Sequence, residues 1–266
     1  MSIFIPPRWI KGTPSTPASS NLTTGLISHW NLDELTDNRV DSVGDHDMIL
    51  TGGDTFLDNY LTTGKFGICP NLFFVTSYLE AADHSDFNAG TGAFSFALWY
   101  GPGYMEQGDV SSSIIAKGSS AWSAAGQWKL NALDEDLFFA AWTDVEPELG
   151  GWINGTGSNG SVKIFGTLID GFWYFIVGVV DFANNVIKLS INNSDWVTNP
   201  FPVGSTTLLT RTSGIHLGTT KISGTPTSPY VVNGSIDQVS YWNRALTTEE
   251  RGLLYNSGTG KSYPFT

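Results

Sequence analysis

An all-β, two-sheet antiparallel sandwich is the fold class that this 266-residue sequence predicts, and three observations carry the prediction. Glycine is abundant (30 residues), charge is sparse (14%) and aromatics reach 13%. That is the profile of many short strands joined by glycine-rich turns around a large aromatic core. Hydrophobic alternation with period two recurs along the chain, and where it lapses, short runs are apolar on both faces. Near the C-terminus a turn pair, Asn233-Gly234, leads into a strand and then a capped helical turn, a lid suited to finishing a sandwich.

Residues 1–24 read as an extended arm, because Pro6, Pro7, Pro14 and Pro17 fix φ and remove donors. Phe4, Trp9 and Ile10 have nowhere to be buried within such a segment, so they are expected to dock on a neighbouring chain. The sandwich is expected over residues 25–266. Its first strand, 26–32, alternates Leu26, Ser28, Trp30 and Leu32 against Ile27, His29 and Asn31, which places His29 on the surface. The following loop, 33–47, holds six acids (Asp33, Glu34, Asp37, Asp41, Asp45, Asp47) that repel one another unless water or a cation separates them.

Strands are predicted next at 66–79, 94–100, 111–118, 127–132 and 137–142. Between and after the last three lie loops rich in Trp, Gly and Asn, at 118–126 and 143–160. Residues 172–182 are apolar on both faces, as in a central strand covered on each side. Asn184-Asn185 then turns the chain into 186–191 to make a hairpin, and 199–230 is mostly loop around a strand at 215–217. In the strand 234–242, alternation puts Asp237, Val239 and Tyr241 on one face and Ile236, Gln238, Ser240 and Trp242 on the other. Thr247 caps the terminal helix, with Glu250 reaching back to complete a capping box. Leu253, Leu254 and Tyr255 supply its apolar side, and Gly258 its stop.

The run Gly234-Ser-Ile-Asp-Gln-Val-Ser-Tyr-Trp-Asn-Arg-Ala-Leu-Thr-Thr-Glu-Glu250 resembles the terminal signature of concanavalin A-like, laminin G-type jelly-roll domains. Gly25–Glu34 with Asp41–Asp45, Phe94–Trp99 and Phe172–Asp181 resemble three earlier motifs of that family, in the same order. The resemblance covers roughly residues 25 to 258 and implies a jelly roll with a short C-terminal helix. It leaves function open, since the fold hosts lectins, glycanases and adhesion modules.

A net charge of −12 excludes nucleic acid and anionic membrane as partners, because phosphate binding needs a basic surface. The single cysteine, Cys69, rules out an intramolecular disulfide and reads as a buried small hydrophobe. The N-terminal residues lack a basic stretch followed by an apolar core, so no signal peptide is expected. No apolar run reaches membrane-spanning length.

Glycan-cleaving relatives of the resembled fold carry Glu-x-Asp-x-Glu, whose alternate residues set two carboxylates on one strand face. Here Asp134-Glu-Asp136 and Glu146-Pro-Glu148 are the nearest approaches, and neither completes the set, so no enzyme is expected. The resemblance does imply a structural Ca²⁺ near the C-terminal acid, held by Asp237, Asp41 and backbone carbonyls. The alternative is that Asp237 accepts backbone N–H bonds or pairs with Arg244. For sugars, Trp122, Trp142 and Trp152 with Asp144 and Asn154 lie in or beside the middle loops and offer flat aromatic faces and polar groups.

These readings combine into a non-enzymatic, lectin-like structural or adhesion protein of a virus particle. A tailed bacteriophage fits best, with the chain as a capsid decoration or tail component. The arm would attach it to other virion proteins or to a further copy of itself, and the loops would meet cell-surface polysaccharide. The competing expectations are a glycan hydrolase of the same fold and a soluble lectin of a cellular organism.

Overall fold

The computed structural model describes residues 21–36, 38–51, 61–72, 78–103, 111–118, 126–133, 135–144, 160–166, 168–210, 212–219, 221–222, 225–226 and 232–265. Two antiparallel sheets face each other. The six-stranded sheet runs in the order Leu26–Trp30, Gly234–Trp242, Ala93–Pro102, Tyr174–Asp181, Val186–Ile191, Val197–Asn199. The eight-stranded sheet runs Gly160–Ile164, Asp136–Ala141, Gly126–Leu133, Ser111–Gly118, Ile215–Leu217, Tyr78–Ala81, Met48–Thr51, Asn38–Arg39. The first and last long strands of the chain are thus neighbours, and connections cross between sheets, as in a jelly roll.

The alternation expected from the sequence builds the core. Phe94, Phe96, Leu98 and Tyr100 point between the sheets, where they meet Leu130, Phe139, Ile115 and Leu217 from the opposite layer. Ala97 and Trp99 point the other way, into a second apolar layer with Phe175, Val177 and Val179. Tyr174–Asp181 is buried along its whole length, as a central strand covered on both faces requires. Gly178 lies directly opposite Phe96, and a Cβ there would stand 2.3 Å from the Phe96 ring. The missing side chain is what lets that ring lie across the strand.

The second apolar layer is roofed by the helix Thr248–Tyr255 and by the segment after it, through Leu246, Leu254, Tyr255, Tyr263 and Phe265. Thr247 accepts from the Glu250 amide at 3.2 Å, and the Glu250 carboxylate accepts from the Thr247 amide at 3.0 Å, the expected capping box. The helix ends earlier than expected. Asn256 already takes the left-handed conformation (φ 46°), two residues before Gly258 (φ 88°), with its amide bonded to the Gly252 carbonyl.

Two expectations of facing fail for physical reasons. His29 is not on the surface: it is 1% exposed, with its ring stacked on Tyr263 at 5.2 Å and edge-on to Phe265 at 5.7 Å. Strand alternation alone cannot register that a C-terminal tail returns over the sheet. In Gly234–Trp242 the strict period breaks at Gln238, whose φ of 52° makes a bulge, with the register shifting between Asp237 and Ser240. Ile236, Val239 and Tyr241 therefore all enter the core between the sheets, while Asp237 goes to the opposite side.

The expected boundary at residue 25 also moves. Leu22 is buried, its carbonyl accepts from Trp242 Nε1 at 2.7 Å, and the Thr24 carbonyl accepts from Arg244 Nε at 2.6 Å. The domain's grip therefore begins by Asn21. Phe4, Trp9 and Ile10 lie outside the described residues.

Candidate functional site

Asp237 is fully buried on a β-strand, a position that an ionised carboxylate occupies only at high cost. Its Oδ2 accepts from the Phe66 amide at 2.8 Å, while Oδ1 has no hydrogen-bond partner. Asp33, 204 positions earlier, is its acidic neighbour, and Asp33 Oδ1 accepts from the Ile68 amide at 3.2 Å. The turn between the short strands Leu61–Thr63 and Ile68–Pro70 wraps around both groups. A Cβ at Gly64 would stand 2.6 Å from Asp237 Oδ2, and one at Gly67 (φ 58°) would stand 2.7 Å from Asp33 Oδ1. Only glycine lets the backbone close this tightly on the two acids.

Burial, with the nearby Asp33 charge, pushes the Asp237 carboxyl up to about 7, and burial also raises Asp33. Lys65, within the same turn, does not neutralise them. Its ammonium donates to the Gly258 carbonyl at 2.6 Å and lies 4.2 Å over the Trp99 ring. Cys69 is buried beside the pair, and its thiol is pushed up to about 12, as an unreactive structural cysteine should be.

Asp41 and Asp237 accept from separate sets of donors. The Asp41 carboxylate accepts from the amides of His29 (2.9 Å), Val43 (3.0 Å) and His46 (3.3 Å), which close the loop after the first strand. The acid that stands near Asp237 is Asp33, from the beginning of the same acidic loop. Arg244 does not pair with Asp237 either; its guanidinium forks onto Glu250 with two bonds of 2.7 Å.

The outer face of the eight-stranded sheet is a second candidate. Register places Ala140, Lys129, Ala116, His216 and Glu80 in one row across five strands, with their chain neighbours facing the core. His216 Nε2 lies 3.2 Å from Glu80 Oε1, and its ring is edge-on to Tyr78 at 5.8 Å. Lys129 Nζ lies 5.5 Å over the Trp142 ring, and burial brings that amine down to about 7.

Trp142, expected as an open stacking surface, is 2% exposed and packs with Phe138, Ala140 and Leu209. Asp144 is exposed, but its carboxylate is committed to the amides of Thr206 (2.8 Å) and Thr207 (3.1 Å) and to the Thr206 hydroxyl. These bonds hold the Asp144 carboxyl down at about 2. Trp122, Trp152 and Asn154 lie outside the described residues.

With the sandwich and its faces in place, the comparisons with known proteins are direct. A family model described as the concanavalin A-like lectin/glucanases superfamily, of laminin G type, matches residues 75–250, more than half of the chain. The chain belongs to this superfamily. No curated protein sequence matches this superfamily member.

Among solved structures it is similar to the binding domain of a paraclostridial mosquitocidal protein 1, with a TM-score of 0.60 and 14% identity over 88% of this chain and 52% of that one. It is also similar to the botulinum neurotoxin serotype D ligand-binding domain in complex with N-acetylneuraminic acid (TM-score 0.59, 14% identity, 87% and 50% covered). A third is domain 4 of AbnA, a GH43 extracellular arabinanase from Geobacillus stearothermophilus, in complex with arabinotriose (TM-score 0.55, 17% identity, 89% and 98% covered). The superfamily domain described here spans about half the length of the first two chains, and at these identities the likeness is one of fold. No helix among the described residues is long and apolar enough to cross a membrane.

Proposed function

We propose that the chain is a non-enzymatic, lectin-like domain that binds a glycan on the outer face of its eight-stranded sheet. One observation carries this reading. That face gathers Tyr78, Glu80, Lys129, Trp142 and His216, and two of its ring nitrogens, Trp142 Nε1 and His216 Nδ1, are buried without a hydrogen-bond partner. Leaving such a group unpaired costs about 1–3 kcal/mol. Aromatic planes beside donors and acceptors are what a polyhydroxylated ring needs. Both rings are covered, so binding entails opening that cover. Two of the similar structures were solved with sugars bound, which supports the same reading.

The spacing of the carboxylates supports a role without catalysis. The strands of this sheet carry two, Glu80 and Asp136, and four strand spacings separate them. At ~4.8 Å per spacing they stand at least about 19 Å apart, beyond the roughly 5–9.5 Å at which a pair of acids hydrolyses a glycosidic bond. Asp136 is moreover paired with Lys163 at 2.7 Å. Titration of the full chain against a polysaccharide panel is expected to find at least one ligand. His216→Gln, close in volume, should weaken that binding about tenfold or more, with the circular dichroism spectrum of the folded chain retained and no reducing sugar released. Undiminished binding by the variant would refute the site, and sugar release would establish the hydrolase.

The Asp33–Asp237 pair with its glycine turn fits a structural Ca²⁺. The orphaned Asp237 Oδ1 and the Asp33 carboxylate would supply oxygen donors, which is calcium's preference, while the turn presents its Phe66 and Ile68 amides to the same two acids. Bound there, the ion would neutralise two like charges and tie the turn 64–67 to the first and last long strands.

Placement in a virus particle, as a capsid or tail component, rests on the arm. Phe4, Trp9 and Ile10 would each contribute about 1.5–3 kcal/mol on burial against a partner. Ordering the arm costs about 1–2 kcal/mol per residue. Three anchors cannot offset that over some twenty residues, so strand addition to a partner's sheet edge has to supply the remainder. Deleting residues 1–20 should leave the thermal unfolding of the domain unchanged and abolish incorporation into the particle. Equal incorporation of the truncated chain would rule the arm out.

A further inference from the structure

Away from both sites, two loops at one end of the sandwich bring together His46, His84 and Asp86, with one ligand-type atom from each lying within 4.8 Å of the others. We infer that these three side chains form a binding site for a first-row transition ion of the Zn²⁺ type, separate from the calcium-type acid pair.

The distances carry the inference. Asp86 Oδ2 lies 3.4 Å from His46 Nε2 and 3.3 Å from His84 Nδ1. Charge-assisted N–H···O⁻ bonds are about 2.7–2.9 Å long, so both contacts are too long to be good ion-pair hydrogen bonds. They match the edges of a coordination tetrahedron instead. With metal–ligand bonds of about 2.0–2.1 Å, neighbouring ligands stand about 3.3–3.4 Å apart.

The hydrogen-bond geometry agrees. The Asp86 amide approaches His84 Nδ1 at 3.3 Å, which places the lone pair of that nitrogen on the Asp86 side. A nitrogen that accepts there does not also donate to the Asp86 carboxylate, so its 3.3 Å approach to Oδ2 is not a hydrogen bond. A metal would compete only with that one long amide contact.

The site is also held in place. The His46 amide donates to Asp41 Oδ2 and its carbonyl accepts from Trp30 Nε1 at 2.7 Å, while its ring packs on Phe87 with centroids 4.7 Å apart. Asp45 Oδ1 stands 3.8 Å from the ring's other nitrogen, the place where metal-binding imidazoles find an acidic neighbour. His84 caps the short 3-10 helix Ser85–Phe87 and Asp86 lies within it; both are half-exposed, which leaves the remaining coordination position open to water or to a ligand carboxylate. Two nitrogens and one oxygen favour zinc, nickel, copper or cobalt over calcium, which takes oxygen only. The ion would cross-link the loop 41–47 to the segment 82–88, the two chains that pack around Phe87.

The test uses the untagged full chain, stripped with chelator and titrated calorimetrically with ZnCl₂. One equivalent should bind, and His84→Ala and Asp86→Ala should each weaken binding at least about tenfold, since even loss of an outer-shell partner costs about 10–100-fold. Both residues are half-exposed, so both variants should unfold at the parent temperature in metal-free buffer. Cobalt loaded in place of zinc should give the intense visible bands of a four-coordinate site in the parent and lose them in either variant. A titration without a single-site transition at hundred-micromolar zinc would overturn the inference, as would either variant binding zinc as tightly as the parent.

Discussion

His29→Gln should make the folded chain lose stability steadily as pH rises from about 4 to about 7, a dependence that the parent largely conceals. Two buried groups act in opposite directions across this window. Asp237 holds its proton in the folded chain up to about pH 7, whereas an unfolded aspartate releases it near 3.8. Over that range the folded state binds more protons, so stability falls as pH rises. His29 stays neutral down to about pH 4 under its aromatic cover, whereas an unfolded histidine is protonated below 6.5. Over that range the unfolded state binds more protons, so stability rises with pH.

At 1.36 kcal/mol per pH unit the Asp237 contribution is on the order of 4 kcal/mol and that of His29 on the order of 3 kcal/mol. The parent should therefore show a shallow profile, His29→Gln a falling one and Asp237→Asn a rising one. Urea midpoints at pH 4.5 and pH 7.5 in chelator read the slopes directly, and parallel profiles for all three proteins would contradict the assignment. Calcium provides the second half of the experiment. At pH 7.5 it should raise the midpoint of the parent and leave Asp237→Asn unmoved.

Trp128→Ala should cost about 3–5 kcal/mol, the range for emptying a large aromatic from a core. Trp128 comes from the eight-stranded sheet and stacks on Phe96 at 5.4 Å and on Tyr241 at 6.1 Å, both from the six-stranded sheet, with Phe94 tilted against it at 5.2 Å. It joins three rings of the facing sheet across the core. Its Nε1 is buried without a hydrogen-bond partner, so the indole N–H contributes nothing that phenylalanine would lose. Trp128→Phe should consequently cost well under half as much as Trp128→Ala. Equal losses in chemical denaturation would mean that the nitrogen has a partner after all.

How much of this was legible follows from the range of each interaction. Ala93–Pro102, Tyr174–Asp181 and the capped helix were readable because alternation and capping are properties of adjacent residues. The facing of Asp237 was misread because a bulge at Gln238 changes the period in mid-strand, and glutamine gives no glycine-like warning of a positive φ. The Asp33–Asp237 pair was half legible. Asp237 was recognisable from its strand and from the resemblance, and the acidic loop was noticed, but which of its six acids would face Asp237 depends on how the turn 64–67 folds between them. His29 and Trp142 were misjudged for one common reason, that a strand's periodicity says which residues share a face and nothing about what later returns to cover it. His46, His84 and Asp86 carry no spacing signature, since they meet only through loop packing around Phe87.

The adjacency of the first and last strands sets how the domain would respond to tension. Leu26 pairs with Trp242, so the start of one strand lies beside the end of the other, and the flanking residues 22–24 are bonded to Trp242 and Arg244. A pull applied between the two flanks would first peel Tyr263 and Phe265 from His29. It would then lift the helix Thr248–Tyr255 and open the strand pair from its Leu26–Trp242 end, breaking its hydrogen bonds in succession and not all together. Loaded in this direction the domain is a weak link that unzips at low force, whereas its opposite end, where Gly234 meets Pro102, carries none of the strain. A module hung by adjacent ends in this way transmits little shear to its eight-stranded sheet.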